Sequence, residues 1–345
     1  MSTSENATSP SIFILTEGSQ EIGFGHLRRS ATLARELMRS PHASKLRVVV
    51  LTETTAENIP ESVRDLFNDL PWSIAPEPVF TNPNLLILDL EQTKLRHVLL
   101  SKPDACRALA LDWFDETILP DATVNLFDHS GSMRAAYTAC GRADHYREGP
   151  DYAIIRPGIL AHASPICSAT PAKRAMITLG GADPSKRSIE AIQLLAPYAA
   201  QMEALVIAGP LFGEDYVNTL YQTAPASFRI LKNPDDFDAL LASSDVVICG
   251  GGGTLLEAMY LGKAAVVLPQ TAAEASHARF HVNAGAAVFA EQLARILLDD
   301  AFRFSTMEKA RNRVNGCGAR NIAELAKELA HDANQDACSP SGPPT

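Results

Sequence analysis

The 345-residue sequence predicts an α/β protein of two doubly wound domains facing each other across a cleft. Three observations carry this. Short apolar runs alternate with amphipathic helical patterns along the chain. The alternation occurs once in each half, on either side of the proline-containing stretch "YAIIRPGILAHASPICSATPAKR". Glycine-rich turns follow strands and precede helices in both halves, at the sheet edge where ligands of such sheets sit. One large domain is the competing arrangement, but the length is generous for a single core and comfortable for two.

In the first half "SIFILT" reads as a strand. "GHLRRSATLARELM" reads as a helix, because Leu27, Ala31, Ala34, Leu37 and Met38 recur near the helical period. "LRVVVLT", "NLLILDL", "RALALDW" and "TVNLFD" are further buried strands. The second half runs through strand "AMITLGG", helix "SKRSIEAIQLLAPY", strands "ALVIAG" and "FRILKN", helix "PDDFDALLASS", strand "DVVICG", helix "TLLEAMYLG" and strand "AAVVLP". The expected domains are residues 11–160 and 175–331, joined by a linker over 161–174, with the last helix able to pack back on the first domain. Residues 1–10 and the polar tail 332–345, "DANQDACSPSGPPT", read as disordered ends.

Composition excludes several classes. A net charge of -10 argues against nucleic acid or an anionic membrane surface as main partner, while leaving room for a local phosphate site. No apolar run approaches the roughly 18 residues of a membrane span. "MSTSENATSP" lacks the basic start and apolar core of a signal peptide, which makes the cytoplasm the default location. The six scattered cysteines have no metal-ligand spacing and read as free, mostly buried thiols.

Three strand-to-helix turns are glycine-rich: "GSQEIGFGH", "GGADPSK" and "GGGGT". Glycine lets a phosphate approach backbone N–H groups, and a helix N-terminus adds unpaired donors and partial positive charge. None matches a P-loop or a full dinucleotide fingerprint, so the set points to a diphosphate rather than to either of those sites. Gly250, Gly251, Gly252 and Gly253 form the strongest signal, because packing alone seldom calls for such a run. Thr254 is the expected cap. Glu257, about one turn into the helix, can accept both hydroxyls of a ribose or simply complement the helix dipole. Gly23 and Gly25 precede His26, which opens a helix at the cleft edge. An imidazole so placed has its cationic form disfavoured and suits a general base, with a plain structural role as the alternative.

"EIGFGHLRRSATLARELM", "YAIIRP", "MITLGGADP", "SSDVVICGGGGTLLEAMYLGKAAVVLP" and "NGCGARNIAEL" follow one another between Ile12 and Leu329. In this order they resemble the UDP-sugar hydrolases of pseudaminic acid biosynthesis and their spore-coat polysaccharide relatives. Those are similar in turn to the MurG-like glycosyltransferases of the GT-B fold. The resemblance implies two Rossmann-like domains and release of UDP from a deoxy-diacetamido sugar by water, without metal or other cofactor. His26 would be the base. Gly250 to Gly253, Thr254 and Glu257 would hold the nucleotide, with Gly180 and Gly181 lining the same side. Gly23, Gly25 and Glu274 would line the sugar and phosphate cleft.

The chain departs from the pattern at three places. Leu90 and Glu91 follow Asp89 where the family carries a tyrosine. Ala273 and Glu274 replace Asn-Gln, and Leu15, Thr16 and Glu17 replace Arg-Ala-Asp. These positions flank the sugar, so the nucleotide side carries over more fully than the sugar identity. An inverting glycosyltransferase is the alternative, with a non-catalytic nucleotide-sugar-binding protein third.

Other candidates have plainer readings. Asp112, Asp115, Asp128 and His129 fall at first-domain strand ends and read as loop caps before ligands. His277 and His281 have i, i+4 metal-ligand spacing but no third partner, and read as surface histidines near the cleft. Arg156 suits a phosphate contact or a structural ion pair equally. Trp72 and Trp113 carry no message.

Overall fold

The computed structural model describes residues 10–19, 23–39, 45–54, 59–78, 80–81, 83–127, 130–166 and 171–338. Two compact units emerge. The first comprises Met1–Gly18, His26–Tyr152 and Gly318–Thr345; the second comprises Ser19–Gly25 and Ala153–Cys317.

The first unit holds strands β1 (Ser11–Glu17), β2 (Lys45–Leu51), β3 (Trp72–Ala75), β4 (Leu85–Asp89), β5 (Arg107–Leu111), β6 (Ala122–Asn125) and β7 (Tyr146–Glu148). All pair in parallel, in the order β3-β2-β1-β4-β5-β6-β7. Strands covered on both faces read as unbroken apolar runs, and Leu85 to Leu88 of β4 are wholly buried. The strand order reverses direction at β1 and β4, the switch point where such sheets open a crevice at their carboxyl ends. β3 and β7 lie at the edges. Trp72 of β3 packs its ring on Phe67, and Trp113 is buried in the first core, so both tryptophans are packing residues.

The second unit contains β8 (Arg174–Thr178), β9 (Glu203–Ala208), β10 (Phe228–Lys232), β11 (Val246–Cys249), β12 (Ala264–Val267) and β13 (Val288–Phe289). They too are parallel, in the order β10-β9-β8-β11-β12-β13, with the switch point between β8 and β11. The Gly180-Gly181 turn follows β8 and the glycine run follows β11, so both glycine clusters fall at that switch point.

Three boundaries differ from the sequence expectation, the first being that Ser19–Gly25, expected within the first domain, falls in the second unit. The main segment of that unit begins at Ala153, ahead of the linker expected over 161–174. Ile155 and Ile159 are buried, and Gly158 lies so close to Asp238 that an added Cβ would fall 1.9 Å from its Oδ2. That packing makes the proline-containing stretch part of the unit. At the other end, the helix Gly318–Cys338 runs through residues read as a disordered tail. Polar "DANQDAC" has no glycine or proline to stop it; those begin only after Ser339. This helix belongs to the first unit, burying Ile322, Leu325, Ala326 and Leu329, and Asn321 Nδ2 donates to the Asp151 carbonyl at 2.9 Å. Residues 1–9 lie outside the described residues.

Of the described cysteines, Cys106 and Cys249 are buried, Cys140 is exposed and Cys317 intermediate, all as free thiols. No helix among the described residues is long and apolar enough to cross a membrane.

Candidate functional site

At the first switch point, the helix Gly25–Met38 presents His26, Arg29 and Ser30 on one face, at i, i+3 and i+4. Asp89, the last residue of β4, lies beneath them and is wholly buried. Its Oδ1 is 2.5 Å from His26 Nδ1. Arg29 Nε donates to both oxygens at 2.8 Å, Arg29 Nη2 to Oδ1 at 2.6 Å, and Ser30 Oγ to Oδ2 at 2.9 Å. Beyond them Arg29 Nη1 donates to Asp112 Oδ2 at 2.5 Å. Asp112 follows β5 with φ of 54°, a left-handed conformation that a non-glycine residue seldom adopts without compensation.

A buried carboxylate survives only when charge and donors meet it. Burial acts to raise Asp89, but the charge of Arg29, then that of His26, outweighs it and holds the group well below the ordinary carboxylate range. Burial likewise acts to lower Arg29, and Asp89 and Asp112 overcome it and raise the guanidinium. Asp89 is therefore an acceptor only. Arg29 Nη2 lies 3.3 Å from His26 Nδ1, a longer contact than the one to Asp89, so the shorter bond decides the proton. Nδ1–H donates to Asp89, so Nε2 is the ring atom that can take up or give a proton. The histidine side chain keeps 26% of its surface exposed, against none for Asp89. A base oriented from behind by a buried carboxylate is a common way to prepare an imidazole for proton transfer.

Sequence reasoning missed Asp89, Arg29 and Ser30 as a unit. The signal was a carboxylate ending an otherwise apolar buried strand, together with polar residues at helical spacing in "HLRRS". Asp112 accepts the loop N–H of Leu126 on Oδ1 at 3.4 Å, as a loop cap would, and in addition holds Arg29 on Oδ2. Asp115 is the ordinary loop cap expected, accepting from Thr117 N at 2.9 Å. Asp128 and His129 lie outside the described residues. Gly23 adopts φ of 72° and its N–H donates to the Ser19 carbonyl at 2.9 Å; Gly25 begins the helix.

In the second unit the glycine run leads into the helix Gly253–Tyr260, with Gly252 at the N-cap position. Thr254 therefore sits inside the helix instead of capping it, because the run starts the helix earlier than expected. The glycines are not equivalent. A Cβ on Gly251 would come 2.3 Å from the carbonyl oxygen of Glu274, so packing forbids any side chain there. A Cβ on Gly253 would meet nothing within 4 Å. Glu274 Oε2 accepts from Gly251 N at 3.2 Å and from Gln270 N at 2.8 Å.

Glu257 is buried, and Arg156 bonds it through Nε at 2.5 Å and Nη2 at 2.8 Å. Arg156 also lies 3.3 Å from Asp238 and over the Phe237 ring. Burial acts to lower this guanidinium, while Glu257 and then Asp238 raise it. Of the two readings of Arg156, the structure has the ion pair.

Gly180 takes φ of 81°, and Gly209 packs where a Cβ would lie 2.5 Å from the carbonyl oxygens of both Gly180 and Gly181. Asp183 in the same turn accepts from Arg187 N at 2.9 Å and Ser188 N at 2.8 Å, capping the following helix.

His277 and His281 are buried, not surface histidines. Their helix Ala272–Asn283 is otherwise small-residue-rich and turns both rings inward, where they bond each other between Nε2 atoms at 3.1 Å. Among the described residues, no three His, Cys, Asp or Glu side chains gather as a metal site.

Residues 178–332 match the glycosyltransferase family 28 C-terminal domain. The chain is 26% identical over 277 residues to an uncharacterised protein of Methanocaldococcus jannaschii, covering 75% of this chain but only 55% of that protein, so it spans about half of that relative. To the spore coat polysaccharide biosynthesis protein SpsG of Bacillus subtilis it is 21% identical over 347 residues, covering 92% of this chain and 97% of that one. Among solved structures, Acinetobacter baumannii MurG superposes with a TM-score of 0.59 at 15% identity, covering 92% of this chain and 100% of that one. S. aureus MnaA, solved with UDP, superposes with a TM-score of 0.64 at 11% identity, covering 93% and 97%. The fold is thus the two-domain Rossmann-like α/β fold of these proteins, the GT-B fold.

Proposed function

We propose that the chain is an enzyme acting on a UDP-activated sugar, with His26 as the base that activates a hydroxyl nucleophile. With water, the reaction is hydrolysis at the anomeric carbon. The water oxygen bonds to that carbon, its proton passes to His26 Nε2, and the bond to the diphosphate breaks with its electrons leaving on UDP. The observation that carries this reading is the His26–Asp89 pair at a sheet switch point, since an oriented neutral imidazole is what the step requires.

The nucleotide side rests on the second unit. Helix N-terminal N–H groups around Gly252, Gly253 and Thr254 suit a diphosphate, and can stabilise it as a leaving group without a metal. Gly180 and Gly181 line the neighbouring turn. An ionised carboxylate has about four acceptor positions. Arg156 occupies one on each oxygen of Glu257, and the others serve ribose hydroxyls. Two of the similar proteins, a spore-coat polysaccharide biosynthesis protein and a protein solved with UDP, support a nucleotide-sugar reading. Motif resemblance adds a deoxy-diacetamido sugar of surface-glycan or nonulosonic acid biosynthesis, lined by Gly23, Gly25 and Glu274.

Transfer to an acceptor hydroxyl by the same base is the second reading, favoured by the family 28 match over residues 178–332. The deciding experiment is UDP release from a panel of UDP-amino sugars without acceptor, for wild type and His26→Asn. Free sugar from wild type, with at least a hundredfold less from a variant that still binds UDP, supports hydrolysis. Binding with release only on addition of an acceptor alcohol supports transfer. A protein that binds no UDP overturns both.

A further inference from the structure

The helix Ala272–Asn283 carries two buried histidines and a half-buried glutamate at positions 274, 277 and 281, along one face. All three meet the glycine run or back a residue that does. His277 Nδ1 lies 2.5 Å from the carbonyl oxygen of Gly251, and Glu274 accepts the N–H of the same glycine. Gly251 thus has both backbone polar groups tied to one helix. We propose that Glu274, His277 and His281 are positioning residues that clamp Gly251 and hold the rest of the run in a phosphate-binding shape; this rests on the nucleotide-binding reading above.

The chemistry fixes the direction of the bond to Gly251. A carbonyl only accepts, so His277 carries a proton on Nδ1 and donates it to Gly251. The Nε2 atoms of His277 and His281 share one further hydrogen bond at 3.1 Å, and His281 Nδ1 takes no part in it. That atom is buried and has no hydrogen-bond partner among the described residues. Burial, then the neighbouring His277 and Arg313, push His281 down to about 3, so at neutral pH its ring is uncharged.

Two buried imidazoles with one orphaned nitrogen are a costly substitute for apolar packing. What they supply is a fixed partner for a carbonyl that lies beyond the end of β11 and outside its ladder. Four successive glycines have the widest backbone freedom of any tetrapeptide, and binding would otherwise have to order them. A Cβ on Gly251 would fall 2.3 Å from the Glu274 carbonyl oxygen, so only glycine lets the clamping helix sit directly on the loop. Gly251 is therefore the anchor of the run, and ligand contact passes to Gly252 and Gly253.

The test uses the full chain and two variants at one position. His277→Asn keeps a donor near Nδ1, while His277→Leu fills the space without one. Hydrogen exchange is followed in peptides covering the glycine run and, as internal reference, β11 and β12, alongside UDP titration by calorimetry. Expected for His277→Leu are faster exchange confined to the run and about tenfold weaker UDP binding, both restored in His277→Asn. Unchanged loop exchange in His277→Leu, or an increase spread equally over the reference strands, overturns the clamp. Should His277→Leu not fold, His281→Leu replaces it, with the same loop-confined increase expected and the same overturning results. If wild type binds no UDP, the functional reading fails, while the exchange pattern still decides the clamp.

Discussion

Asp89 Oδ1 lies 2.5 Å from His26 Nδ1, across 63 residues of sequence, and the same carboxylate receives Arg29 and Ser30 from the helix that carries the histidine. One buried charge thus sets the tautomer of a partly exposed imidazole and anchors the helix to β4. Structure and chemistry are coupled at this residue.

Asp89→Asn is expected to lower kcat about a hundredfold with UDP affinity unchanged, because the amide no longer stabilises a protonated His26. It also leaves Arg29 short of its main counter-charge, at a cost of about 3 kcal/mol in urea unfolding. The native value of Asp89 is depressed, so its stabilising contribution is full above the unfolded value of about 3.9 and is lost as pH falls below it. The variant should therefore unfold with less acid dependence below about pH 4 than wild type.

His281 gives a second acid signature in a higher window. Its native value is lowered to about 3, so the unfolded chain takes up a proton there that the folded chain refuses. Stability should fall as pH drops from about 6.5 toward 3. Urea midpoints of wild type and His281→Leu at pH 7.5 and 4.5 check this: the variant should lose less over the interval. An equal loss would assign the dependence to other groups.

Arg156→Met should destabilise the second unit by about 3 kcal/mol, since it strands Glu257 and Asp238 without their cation. The double variant with Glu257→Gln should recover part of that loss. Recovery of stability without recovery of UDP binding would separate the ion pair's structural contribution from the ribose contact assigned to Glu257.

Gly251→Ala and Gly253→Ala are expected to diverge. At position 251 the added methyl meets the Glu274 carbonyl, so thermal stability and UDP binding both fall. At position 253 the methyl meets nothing, and alanine is the better helix former by up to about 1 kcal/mol. That variant should hold or raise its melting temperature while binding UDP at least tenfold more weakly. Unimpaired binding by Gly253→Ala would remove the ligand from that end of the run.

Much of this was legible in the chain itself. Buried parallel strands such as "LLILD" and "VVIC" announce themselves as apolar runs, and glycines between strand and helix mark the sheet edge. Edge strands were harder: β3, "WSIA", is short and half exposed, so it lacks that run. The end of the final helix was missed because a polar composition resembles disorder, although no residue before Ser339 breaks a helix.

Local pattern, then, determined the doubly wound halves, the glycine turns and the place of His26, because period and backbone permissiveness are properties of neighbouring residues. Tertiary structure alone decided which carboxylate stands behind His26, that Arg156 closes on Glu257, and that His277 turns inward onto Gly251. Those pairings join residues 26 to 101 positions apart, and nothing in local sequence encodes such a partner. They form because folding buries charged and polar groups that must each find a counterpart, and only the packed chain determines which one is within reach.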